Sequence, residues 1–243
     1  MGRVMWRIAT VGMAVLIMAG CAVRLGGPKP EIYETVALRA PAGAAAADVA
    51  GTVKAAAGDI VLLVADADSA WFADVAAQTG IPLNGPGFTG GPGMAFFTHL
   101  ELLGDTTLTV PVAAGGNLHV HDALFEISEG RRVDLMIVAM EEGVAARDGV
   151  RTLLNYIATD VGGTSAVLIG LTAPTPAIAD SASTLMRAAF RNALDCGDAP
   201  LTRPAGGLGV TLFYGPEARI SCESARVLPG TPNGIVARTE VGR

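Results

Sequence analysis

The chain is 243 residues long, 51% hydrophobic and only 16% charged, with a mean hydropathy of +0.45. That length and apolar content exclude a mostly disordered chain and point to one domain, or two small ones. A formal charge of -6 and a pI near 5.0 lack the basic footprint of a nucleic-acid binder.

Residues 1–21 read MGRVMWRIATVGMAVLIMAGC. Arg3 and Arg7 precede an uncharged apolar run from 8 to 18, which has the length of a signal-peptide core and is short for a membrane span of about 20 residues. The run ends in Met18-Ala19-Gly20-Cys21. This ending resembles the lipobox of bacterial lipoproteins: an apolar residue, two small ones, then the cysteine. The resemblance implies cleavage after Gly20, a diacylglycerol thioether on Cys21 and an acylated new amine. Several acyl chains on one residue make a firm anchor where one alone is marginal. Ala22 stands where Asp would mark inner-membrane retention, so the expected place is the cell envelope, on the outer membrane facing the periplasm in a Gram-negative cell. Residues 21–31, with two Gly and two Pro, read as a lipidated tether. The other two cysteines, Cys196 and Cys222, form an expected disulfide in an exported chain.

From residue 32 the pattern alternates. Residues 32–38 predict a strand, 42–57 an Ala-rich helix, and 59–65 (DIVLLVA) a strand buried on both faces. A helix is expected over 69–79, then a Gly/Pro loop over 81–93. Residues 94–103, 106–112 and 117–128 predict an antiparallel meander with turns at Gly104-Asp105 and Gly115-Gly116. Residues 133–140 (VDLMIVAM) and 165–171 (SAVLIGL) are further buried strands, each followed by a helix, over 145–161 and 176–194. Residues 209–214 and 219–227 predict a closing hairpin, and 229–243 a loose tail. Alternation of this kind implies an α/β fold: a layered mixed sheet with flanking helices and an inserted meander, in a single domain over 32–228.

Three places carry candidate chemistry. Asp66 and Asp68 follow a buried strand, where ligands gather in α/β sheets, and two carboxylates there could hold Mg²⁺. Asp68 also suits the N-cap of the next helix, and that is the preferred role. The three histidines, His99, His119 and His121, all fall in the meander. His119 and His121 share one strand face, and with His99 they could ligate a transition metal. The preferred expectation is that this face is polar and meets water. The segment 84–93 (NGPGFTGGPG) formally matches a Gly-rich phosphate motif, but a strand and not a helix is expected after it, so it reads as a connection. Glu141-Glu142 end a buried strand on what could be the same rim as Asp66.

The leading functional expectation is a lipid-anchored envelope protein with a binding or assembly role, with the membrane and an envelope protein as partners, no nucleic acid and no cofactor. The alternative is a periplasmic metal-dependent hydrolase using Asp66, Asp68 and the His99/His119/His121 group, with a divalent metal.

Overall fold

The structure is a computed structural model and describes residues 31–128, 130–161, 165–197, 201, 207–228 and 234–241. The signal segment, the tether and Cys21 lie outside the described residues, apart from Glu31.

Two six-stranded sheets carry the chain. The first has the order β11-β12-β1-β2-β4-β3 and the second β5-β6-β7-β8-β10-β9. The strands are β1 Glu31–Arg39, β2 Ile60–Ala65, β3 Leu83–Gly87, β4 Gly93–Thr98, β5 Glu101–Pro111, β6 Asn117–Ser128, β7 Arg131–Met140, β8 Ala166–Thr172, β9 Arg191–Asn192, β10 Val210–Gly215, β11 Ile220–Val227 and β12 Gly234–Val241. The helices are α1 Ala46–Ala56, α2 Ser69–Thr79, α3 Ala146–Tyr156 and α4 Pro176–Met186. In each sheet one parallel pair, β1–β2 or β7–β8, sits between antiparallel neighbours. Each parallel pair is joined through a helix, α1 or α3, as parallel strands require.

Three apolar layers hold the stack together. Ile60, Leu62, Phe96, Phe125, Leu135, Ile137 and their neighbours fill the space between the sheets. Val49, Val53, Phe72 and Val75 cover the outer face of the first sheet through α1 and α2. Val150, Leu153, Ala179 and Met186 do the same for the second through α3 and α4. Strands covered on both faces read as continuous apolar runs, and β2, β7 from Leu135 onward and β8 up to Leu171 are so for this reason.

The α/β class with mixed strands and flanking helices stands, but as two sheets instead of one. The expected meander is divided. β4 belongs to the first sheet, while β5 and β6 belong to the second. Gly104 is no turn: it sits at a bulge inside one long strand, β5, where the register shifts between Leu102 and Gly104. Residues 209–227 form no hairpin, because β10 and β11 lie in different sheets. The loose tail is corrected too. Gly234–Val241 is β12, paired antiparallel to β1 on one side and to β11 on the other, with six of its eight residues buried. The last expected helix stops at Met186, and the chain turns into the two-residue strand β9. Cys196, after a 3₁₀ turn behind β9, and Cys222, in β11, are joined in a disulfide with Cα atoms 5.7 Å apart. This bond ties the second sheet's edge to the first sheet's edge.

Candidate functional site

The carboxyl ends of β1, β7 and β8 meet at one end of the stack. Arg39 closes β1 and donates from Nη1 to the carbonyl of Ala173, just past β8, at 3.3 Å. Between them lies a cleft of about 420 Å³ lined by Arg39, Gly91, His119, Glu141, Glu142 and Thr175, among others. Thr175 is the N-cap of α4 and accepts from the amide of Ile178 at 3.3 Å, so the positive end of that helix borders the cleft. Among the described residues Arg39 makes no ion pair with a carboxylate.

Facing Arg39 is a carboxylate held from behind. Glu141 Oε2 accepts from the backbone amide and the side-chain amide of Asn117, both at 2.9 Å. Its Oε1 lies 2.8 Å from His119 Nε2. The hydrogen bonds from Asn117, and then that from His119, hold the Glu141 carboxyl below its usual range, so it stays ionised. His119 is only 2% exposed while the Glu141 side chain is 33% exposed, so the carboxylate meets the cleft and the imidazole stands behind it.

The hydrogen bonds assign the tautomer of His119. An ionised Glu141 only accepts, so Nε2 carries the proton. Thr109 Oγ1 donates to the carbonyl of Thr89, which leaves the Thr89 hydroxyl, 2.9 Å away, to donate to Nδ1. Both ring nitrogens are therefore engaged. The backbone at Gly91 lies against this ring: a methyl group there would come within 2.4 Å of His119 Nε2. Only glycine allows that approach without displacing the imidazole.

His119 and His121 do share a face, as their spacing requires, but that face is buried. It points between the sheets, and the two residues are 2% and 0% exposed. The expectation of a water-facing polar strand is overturned because the first sheet covers it. His121 Nε2 lies 3.3 Å from Asp105 Oδ2 and its Nδ1 3.3 Å from the Met94 carbonyl, with the Phe96 ring centroid at 4.7 Å. Burial pushes its pKa below the usual value, against the pull of Asp105. His99 falls at the exposed bend between β4 and β5 and joins neither.

Asp66 and Asp68 line a separate groove of about 330 Å³ with Ala40, Ala65 and Trp71. Asp68 caps α2, its Oδ1 accepting from the Trp71 amide at 2.9 Å. The proposed metal set of Asp66, Asp68, His99, His119 and His121 is thus not assembled. Among the described residues no group of three or more His, Cys, Asp or Glu is placed to hold a metal ion. The Gly-rich segment 84–93 is in part the edge strand β3 and in part the stretch lying over His119. Glu141 and Glu142 do not share a rim with Asp66 as expected, since they line the Arg39 cleft and Asp66 the other groove, and Arg39 and Asn117 were not expected in a site. A lone Arg at the end of an apolar strand was the available signal for the first.

No protein-family model matches the chain, and no curated protein matches it either. Solved structures do match in fold. An endonuclease/exonuclease/phosphatase from Bacteroides vulgatus superposes with a TM-score of 0.67 at 14% identity, over 87% of this chain and 99% of that one. A mannosyl-6-phosphatase from Bacteroides thetaiotaomicron gives 0.63 at 10% identity, over 85% and 98%. D. rerio TDP2 complexed with a single-strand DNA product gives 0.61 at 10% identity, over 86% and 99%. At such identities the likeness is one of architecture: two mixed sheets with flanking helices, the endonuclease/exonuclease/phosphatase fold.

Proposed function

We propose that the protein is a hydrolase-type domain that takes a small phosphoester in the cleft at the ends of β1, β7 and β8, and that it is held at the cell envelope by lipid on Cys21. The observation that carries this reading is Arg39, a guanidinium without a carboxylate partner among the described residues, set across a cleft from an ionised Glu141 that is braced by His119. A guanidinium and a helix N-terminus are the groups that hold a phosphate. Glu141 then orients a water toward the phosphorus, and His119 and Asn117 keep its carboxylate in place. The fold, shared with a phosphatase and with nucleases, supports the phosphoester class. The acidic chain favours a small ester over a nucleic acid.

The metal-dependent form of this reading does not fit the residues present, since Asp68 serves as a cap and His99 lies apart. A second reading, capture of the phosphoester without turnover, is favoured by the engagement of both His119 nitrogens, which leaves no free imidazole base.

Turnover of p-nitrophenyl phosphate and bis(p-nitrophenyl) phosphate by the purified chain tests the two. Release of p-nitrophenol, lost in Glu141→Gln, supports hydrolysis. Phosphate binding without release supports capture. Neither binding nor release refutes both. Acyl-label incorporation that persists in Cys21→Ser refutes the anchor.

A further inference from the structure

The opposite end of the second sheet holds an acidic cavity that the proposed phosphoester cleft does not use. It measures about 640 Å³ and is lined by Asp122, Asp134, Tyr156, Asp160 and Ser165, with Leu108 and Leu124 among its apolar walls. Asp134 lies at the start of β7 and Glu141 just past its end, so the two sites stand about 20 Å apart along the strand.

Asp122 and Asp134 share the outer face of their strands. Asp122 pairs with Met136 and Leu124 with Asp134, so the two carboxylates are diagonal neighbours across β6 and β7. Diagonal pairs lie about 7–8 Å apart at Cα, within reach of one small bridging group. Tyr156 donates to Asp122 Oδ2 at 3.2 Å. Ser165 also bonds the Asp134 side chain and the Ala123 amide that of Asp122, yet one oxygen of each, Asp122 Oδ1 and Asp134 Oδ2, is buried without a hydrogen bond. Asp134 is only 7% exposed. Buried carboxylate oxygens left without a donor are strongly disfavoured, and two of them on one cavity floor call for the same missing donor.

We propose that this cavity binds a small aliphatic amine, its ammonium between Asp122 and Asp134 and its carbon chain along Leu108 and Leu124. An ammonium offers three N–H donors on one compact cation, which meets both orphan oxygens at once after a small rotation of each carboxylate. The lining is mostly polar, but Leu103, Leu108 and Leu124 give a short carbon chain a surface that a bare ion would not use, and the volume accommodates one. The absence of a three-residue ligand group among the described residues points the same way. Asp160 adds negative charge at the rim. Arg132 also lines the cavity, and being exposed it sets the end to which a second ammonium of a diamine would not go.

Calorimetric titration of the whole chain with putrescine, 1,4-butanediol, CaCl₂ and MgCl₂ tests this. One putrescine per chain is expected, with no heat from the diol. Loss of the charge-assisted bonds in Asp134→Asn should weaken putrescine by about 10- to 100-fold. Should Asp134→Asn fail to fold, the rim change Asp160→Asn is expected to weaken putrescine several-fold. Absence of putrescine binding, equal binding of the diol, preferential uptake of Ca²⁺ or Mg²⁺, or unchanged affinity in the variants would each overturn the proposal. Phosphoester turnover is not a readout here, so failure at this cavity leaves the cleft reading untouched.

Discussion

Removing the Cys196–Cys222 bond should destabilise the protein by about 3.5 kcal/mol at 25 °C. The sequence separation is 26, and chain entropy released from a loop of that size gives this figure. The bond also bridges two edges: Cys196 follows β9 at the rim of the second sheet, and Cys222 lies in β11 at the rim of the first. Its loss should therefore act globally on the two-sheet stack and not only on a local loop. For a domain of this size the midpoint should fall by about 7–14 °C. Thermal unfolding followed by circular dichroism, with the Cys196→Ser/Cys222→Ser variant and the oxidised parent at one pH, measures it. Peptide mapping without reductant must first show the linked pair in the parent. A midpoint change under 2 °C would refute the argument, because it would mean that the loop is already constrained in the unfolded chain or that the bond strains the fold.

Asp68→Ala removes the side-chain acceptor at the start of α2 and should cost about 1 kcal/mol in urea unfolding; a change of zero would mean that the cap has no energetic role. His121 has a folded-state pKa below its unfolded value, so the unfolded chain takes the proton first. Its contribution to stability is full above about pH 6.5 and is lost as pH falls toward the folded value. Burial pushes the Asp134 carboxyl up to about 6, which acts in the opposite sense over the same range, so the contribution of His121 is read as a difference: between pH 7 and 5 the parent should lose stability relative to His121→Gln. Gly91→Ala forces a methyl group onto the His119 ring and should cost about 1–3 kcal/mol, with loss of phosphate binding beyond what the stability change explains. An unchanged affinity for phosphate in that variant would show that the placement of His119 does not matter to the cleft.

The strands most legible in the sequence were those buried on both faces. β2, most of β8 and β7 from Leu135 onward are apolar runs, and each lies inside a sheet with helices outside and the other sheet inside. The same property hides which sheet a strand joins, since a run apolar on both faces fits either layer. β4 and β5 read as neighbours, and β10 and β11 as a hairpin, because each pair is adjacent in the chain and no local pattern marks the crossing from one sheet to the other. β12 was lost for another reason. The turn-rich PGTPN stretch at 229–233 precedes it, and Arg238 and Glu240 interrupt a pattern otherwise buried. For the site, spacing showed that His119 and His121 share a face, but not that the opposing sheet covers it. The pairing of His119 with Glu141 joins β6 to the end of β7 across 22 residues, a contact set by strand register and not by any local motif.

The cleft at the ends of β1, β7 and β8 is proposed to hold a phosphate group. A crystal structure of the chain soaked in orthovanadate or inorganic phosphate tests it most directly. The anion should lie within hydrogen-bond distance of the Arg39 guanidinium and the first turn of α4, and it should vanish in Arg39→Ala at the same concentration. An anion bound in the Asp66/Asp68 groove, or none in the cleft at saturating concentration, would contradict the account.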